Sequence, residues 1–309
     1  MLTPMSENTH VEFTIDTPGE RLDKLIVAHL GDRLTRTQIQ SLIKEGHVTV
    51  NGAAVKAGVK LKGGERVVVT VPPVPVEAEV EPEPIALTVV YEDADLAVID
   101  KPAGLVVHPG VGNESGTLVN AILARYPEIG EMRYAARRRG IVHRLDKNTS
   151  GLILIARRAP IMQRLIAQFA ARTVEKDYLA LLERTPRTSS GRIDVPLARD
   201  PERRQRMKVM RGGKPAISEF TVIDRFKDGK ALVRVRLLTG RTHQIRVHMA
   251  FIDCPIVGDS VYGYRKPKIA RQFLHATRLC FDHPRTGERL CFESPLPPYL
   301  QAYLDSLSK

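Results

Sequence analysis

Cysteine is scarce in this 309-residue chain: Cys254, Cys280 and Cys291 are the only three, and no two form a CxxC pair. That usage argues against a disulfide framework and a zinc site, so reduced, packed thiols are expected. Long apolar runs are missing too. No continuous stretch is long enough to span a bilayer, and no long basic amphipathic helix is present to lie on one, so no membrane partner is expected. The amino end, MLTPMSENTH, lacks a basic start followed by an apolar segment. This predicts a cytoplasmic location. Nor is there a glycine-rich phosphate loop or a cluster of metal ligands.

Negative charge is the minority, with 35 acidic residues against 47 lysines and arginines and a formal net charge of +12. Once membranes are set aside, such an excess points to a nucleic acid. Hydrophobic residues make up 43% of the chain, which excludes wholesale disorder, and the length allows two domains.

The tetrapeptide RLDK occurs twice, at Arg21–Lys24 and Arg144–Lys147, but nothing around the copies matches at a fixed period. They are not a repeat, and their surroundings differ. The first opens a helical pattern from Arg21 to Leu30 with Leu22, Leu25, Ile26 and Leu30 on one face. A second helix over Thr35–Lys44 carries Ile39, Leu42 and Ile43. HVTVNG then alternates and ends in an Asn-Gly turn, and ERVVVTV supplies another strand. Asp23 thus falls in a first helical turn, where its charge meets the positive end of the helix dipole. Arg33, Arg36, Lys44, His47 and Asn51 surround the second helix and offer a basic face to phosphates. The segment PPVPVEAEVEPEP that follows is proline-rich and acidic, and reads as an extended linker repelled by nucleic acid. The expected division is a tail over 1–16, a small domain over 17–71, a linker over 72–84 and a large domain over 85–309.

In the large domain, short strands (TVVYE, LAVID, LILIA, DYLALL, ISEFTVIDRF, ALVRVRLL) alternate with amphipathic helices such as APIMQRLIAQFAAR. This predicts an α+β fold with a large mixed sheet. The second RLDK lies in a polar loop before LILIA, which places Asp146 on a rigid support among His143, Arg144 and Lys147. A carboxylate among cations stays ionised and suits a nucleophile; a structural ion pair fits the spacing equally well. In LLTGRTHQIRVHMA, Thr242 is placed to cap a helix that positions Arg246 to grip a buried carboxylate with both ends of its fork. His243 and His248 are not on a common face, so they do not form a metal pair. Tyr178 enters a strand in VEKDYLALL, where packing and stacking on an extruded base are both open readings.

Together, VIDKPAGLVVHPG, GIVHRLDKNTSGLILIAR, EKDYLAL, GGKPAISEFTV, LLTGRTHQIRVHMA and PIVGDSVYG resemble the RluA family of pseudouridine synthases, specifically the large-subunit ribosomal RNA type. RLDKLIVAHLGDRLTRTQIQSLIKEGHVTVNG with KLKGGERVVV resembles the S4 RNA-binding domain. The resemblance implies a mostly antiparallel pseudouridine synthase sheet and a cofactor-free isomerisation of uridine in RNA; separately, a monomer is expected. It makes Asp146 the catalytic aspartate, attacking either the base or the ribose, and Arg246 its partner. Tyr178 would stack on the uracil and serve proton transfer at its carbon five, and Arg144 would fill the gap left by the flipped nucleotide. Lys101 and Pro102 match a structural motif. Arg36 and its helix would contact structured RNA, and Arg137, Arg138 and Arg139 offer further phosphate contacts. Transfer RNA as substrate, and a noncatalytic RNA-binding protein, are the competing readings.

Overall fold

Alternating valines build the first of three sheets among the described residues. In the computed structural model, which describes residues 9–16, 18–30, 36–71, 79–132, 138–203, 205–264 and 269–308, the chain divides into units Met1–Glu77 and Ala78–Lys309. The small unit runs β1 (Thr9–Thr14), α1 (Leu22–Leu30), α2 (Arg36–Lys44), β2 (Val48–Val50), β3 (Ala53–Ala54) and β4 (Arg66–Val71), with sheet order β1-β4-β2-β3. Val48 and Val50, and Val67 and Val69, face the core at the two-residue period of a strand. Leu22, Ile26 and Leu30 of α1 meet them with Ile39, Leu42 and Ile43 of α2. Asn51 and Gly52 both have positive φ, as a two-residue hairpin turn requires.

The expected tail is partly wrong. Thr9–Thr14 pairs along β4, and Phe13 and Ile15 enter the core, so Val11, Phe13 and Ile15 form an alternating run that belongs to the domain.

The large unit runs β5 (Thr88–Glu92), β6 (Leu96–Lys101), α3 (Leu118–Arg125), β7 (Ser150–Ala156), α4 (Ala159–Ala171), β8 (Glu175–Leu182), β9 (Ser190–Asp194), β10 (Leu197–Arg199), β11 (Met207–Val209), β12 (Ile217–Arg225), β13 (Ala231–Leu237), α5 (Gln244–Phe251), β14 (Leu274–Asp282), β15 (Arg289–Glu293) and α6 (Pro298–Asp305). Its main sheet has the order β5-β6-β7-β14-β8-β13-β12-β9, with β15 also on β14. Among the described strands only β7 and β14 pair in parallel. The sheet is therefore mixed and mostly antiparallel, as expected. Every residue of β7 is buried, which explains its uninterrupted apolar run, and Ile161, Met162 and Leu165 of α4 join the same core.

Two further expectations need correction. Residues 72–78 of the expected linker lie outside the described residues, but its second half is packed: Val80 is buried, and the Glu81 carbonyl accepts from Asn120 Nδ2 at 2.8 Å. Cys280 and Cys291 form a disulfide, because the β14–β15 register sets them directly opposite, 4.2 Å apart at Cα. Cys254 remains a buried free thiol.

Candidate active site

The loop that carries Asp146 is pinned from several sides. His143 Nε2 accepts the Leu154 N–H at 2.9 Å, and its ring stacks on Phe169 with centroids 4.8 Å apart. Burial drags the His143 pKa down to about 3, so the ring is neutral. Farther along, the Lys147 carbonyl accepts from Gly104 N at 2.8 Å and from Lys101 Nζ at 3.2 Å. Lys101 is fully buried and also donates to the Pro102 and Leu105 carbonyls. Burial lowers its pKa to about 7, against the pull of Asp146. After the loop, Gly151 has φ +108°, and a Cβ there would lie 2.2 Å from the Ala276 carbonyl oxygen. Only glycine lets β7 approach β14 this closely.

Arg246 comes from the other side of the cavity, on α5. The helix starts after His243, which has φ 56° and makes no side-chain cap. The expected cap by Thr242 is not formed; His243 is instead fixed by Tyr262, whose hydroxyl lies 2.9 Å from Nδ1. Arg246 donates from Nε and Nη2 to the two oxygens of Asp259, at 2.7 and 2.9 Å, and from Nη1 to Asp146 Oδ2 at 3.1 Å. The two-pronged grip is thus on Asp259, with a single bond left for Asp146. Asp259 also accepts from the Val261 and Tyr262 N–H groups. Burial opposes its charge, yet Arg246 and these donors hold its pKa below the usual carboxylate range. Asp259 went unassigned in the sequence, although it lies in the quoted PIVGDSVYG.

Asp146, Tyr178, Arg246 and Arg144 line one cavity of about 460 Å³, within the range of small-molecule sites. Asp146 Oδ1 has no hydrogen bond among the described residues, while Oδ2 is held by Arg246 and has His243 Nε2 at 4.0 Å. Tyr178 sits mid-sheet between Val235 and Ala276. Burial first, and Asp146 second, push its pKa above the ordinary phenol value, so it enters any reaction as the neutral hydroxyl. A fixed carboxylate with one uncommitted oxygen, facing a buried phenol, can serve as a nucleophile beside a proton carrier.

The expected RNA contacts divide. Arg144, Arg138 and Lys44 are exposed. Arg139 is turned to Glu79, at 2.7 and 3.1 Å, with 14% of its side chain exposed. Arg36 is half exposed but binds Asp23, from Nη2 at 3.0 Å and Nε at 3.2 Å. Arg33 and Arg137 lie outside the described residues.

A mixed sheet with an Asp–Arg pair and a tyrosine in one cleft defines the class that the comparisons then specify. Residues 95–251 match the RNA pseudouridylate synthase model and residues 20–67 the S4 domain. The chain belongs to the RNA pseudouridylate synthase family, in its S4-bearing RluA branch, and is an isomerase acting on uridine in RNA. It is 45% identical over 292 residues to the Bacillus subtilis RNA pseudouridine synthase YlyB, covering 94% of this chain and 95% of that one. It is 42% identical over 306 residues to the Pseudomonas aeruginosa ribosomal large subunit pseudouridine synthase D, covering 93% and 91%. The structure of human RNA pseudouridylate synthase domain containing 1 matches with a TM-score of 0.57 at 27% identity, over 75% of this chain and 90% of that one. No described helix is long and apolar enough to cross a membrane.

Proposed function

We propose that this synthase acts on uridines of large-subunit ribosomal RNA, with Asp146 as nucleophile and Arg246 holding it for attack. Tyr178 stacks on the flipped uracil and carries the proton lost from carbon five. Arg144, exposed at the cavity, fills the gap left in the RNA, and Arg36, Arg138 and Lys44 contact phosphates. The observation that carries the reading is the Arg246–Asp146 bond of 3.1 Å inside a cavity shared with Tyr178. The ribosomal substrate is supported by the S4 match and by the Pseudomonas relative, a ribosomal large subunit pseudouridine synthase.

The test has two arms. Pseudouridine mapping in total cellular RNA with and without the gene should lose a signal in large-subunit RNA. A loss confined to transfer RNA would replace the proposed substrate. Asp146→Asn keeps the side-chain shape and removes the nucleophilic charge, so it should abolish tritium release from uridine labelled at carbon five while RNA binding persists. Wild-type release by this variant would remove Asp146 from its role.

A further inference from the structure

The cavity wall carries a second cation for which the roles above have no use. Lys176 lies two residues before Tyr178 on β8, so both side chains leave the same face of the strand. It is 9% exposed and lines the cavity. The other buried lysines are engaged, Lys101 by three carbonyls and Lys230 by Asp228. The Lys176 ammonium has no hydrogen bond or ion pair among the described residues, and the Phe169 ring, 5.4 Å from Nζ, is an aromatic neighbour. His143 and Tyr178 beside it are neutral, and Asp146, whose Oδ2 is held by Arg246, makes no ion pair with it among the described residues. Burial alone draws the Lys176 pKa down to about 8. An ammonium kept from water without a counter-ion is costly to hold, and a bound ligand that supplies negative charge removes the cost.

We propose that Lys176 binds the O4 edge of the flipped uracil and stabilises the negative charge that collects there during isomerisation. The inference rests on the synthase activity but does not depend on which atom Asp146 attacks. Attack at C6 forms a carbon–oxygen bond, displaces the C5–C6 π pair and leaves an enolate on O4. Attack at C1′ breaks the C1′–N1 bond with its pair left on the base, and the charge spreads from N1 to O2 and O4. In both routes the C1′–N1 bond breaks with its pair left on the base, C5 ends bonded to C1′, the carboxylate is released, and the C5 hydrogen departs as a proton while N1 takes one up. A phosphate oxygen has similar chemistry, but the nearly buried position beside Tyr178 and Phe169 favours the base, whereas Arg144 is exposed for the backbone.

The experiment uses single-turnover rates of the full-length protein on a ribosomal RNA fragment carrying uridine or 4-thiouridine at the target. Sulfur is a poor acceptor, so wild type should slow about tenfold or more on the thio substrate. Lys176→Met should be about 10²-fold slower on uridine at saturation, bind with near-normal affinity and be indifferent to the sulfur. Weaker binding, a salt slope shallower by about one and a normal saturated rate would make Lys176 a phosphate contact and overturn the proposal. So would a wild-type rate that changes less than about twofold with sulfur, an arm that stands even where the variant fails to fold. Wild type inactive on uridine in every RNA would instead refute the activity itself.

Discussion

Arg246 divides its guanidinium between two carboxylates, and the division separates stability from chemistry. Asp259 takes two bonds and is fully buried; Asp146 takes one and keeps 17% of its side chain exposed. Asp259→Asn should therefore leave a buried arginine short of charge, at a cost on the order of 3–5 kcal/mol. Urea unfolding should report that loss, with turnover falling because Arg246 is no longer aimed. Asp146→Asn leaves the fork intact and should unfold near the wild-type midpoint, so equal midpoints for the two variants would refute the division. Asp146, Tyr178 and Arg246 were legible because each stands inside a short stretch of distinctive neighbours. Asp259 was not, although a signal existed: a guanidinium has five donors, and a buried one needs more acceptors than a single shared aspartate offers. The first RLDK shows the same oversight. Asp23 is fully buried and accepts from Arg21, Arg36 and Gln40, so an ion-pair knot, more than a helix dipole, holds it. Its pKa is depressed chiefly by Arg21, against the effect of burial.

At the level of elements, the site depends on how closely β7 can approach β14. Gly151 stands in this contact opposite Ala276, just after Ser150 opposite His275, and Ala276 in turn stands opposite Tyr178. Gly151→Ala would place a methyl against backbone atoms at 2.2–2.8 Å in a conformation that alanine avoids. A loss of at least about 3 kcal/mol is expected from overpacking and strain together. Turnover should fall even in whatever fraction folds, because the Asp146 loop leads into β7 while Tyr178, on β8, pairs with β14, the strand being forced away from β7. Thermal melting alongside single-turnover rates checks this, and a stable, fully active variant would show that the contact is not needed. Strands buried on both faces announce themselves as apolar runs, which is why β7 was readable. Strand register leaves no such mark. The Cys280–Cys291 bond depends on the β14–β15 register, and Val80 was hidden in a proline-rich run whose composition suggested exposure.

For the whole molecule, the question is whether the two units share one RNA. Each has its own hydrophobic core, so the large unit should fold alone when the chain is cut at the boundary before Ala78. A cut at Pro84 would remove Val80 from the core and the Glu83 bond to Gly116, confusing lost binding with lost stability. If both units hold the same RNA, joining them raises the effective concentration of the second contact, so truncation before Ala78 should weaken binding by roughly 10²-fold or more. The rate on bound RNA should change little, since Asp146, Tyr178, Lys176 and Arg246 all belong to the large unit. Salt dependence should become shallower by about one unit of slope for each phosphate contact removed. Titrating a structured ribosomal RNA fragment at several salt concentrations, followed by single-turnover rates at saturation, separates the effects. Unchanged affinity and slope would mean that the S4 domain does not touch this RNA, and the ribosomal assignment would then rest on the relatives alone.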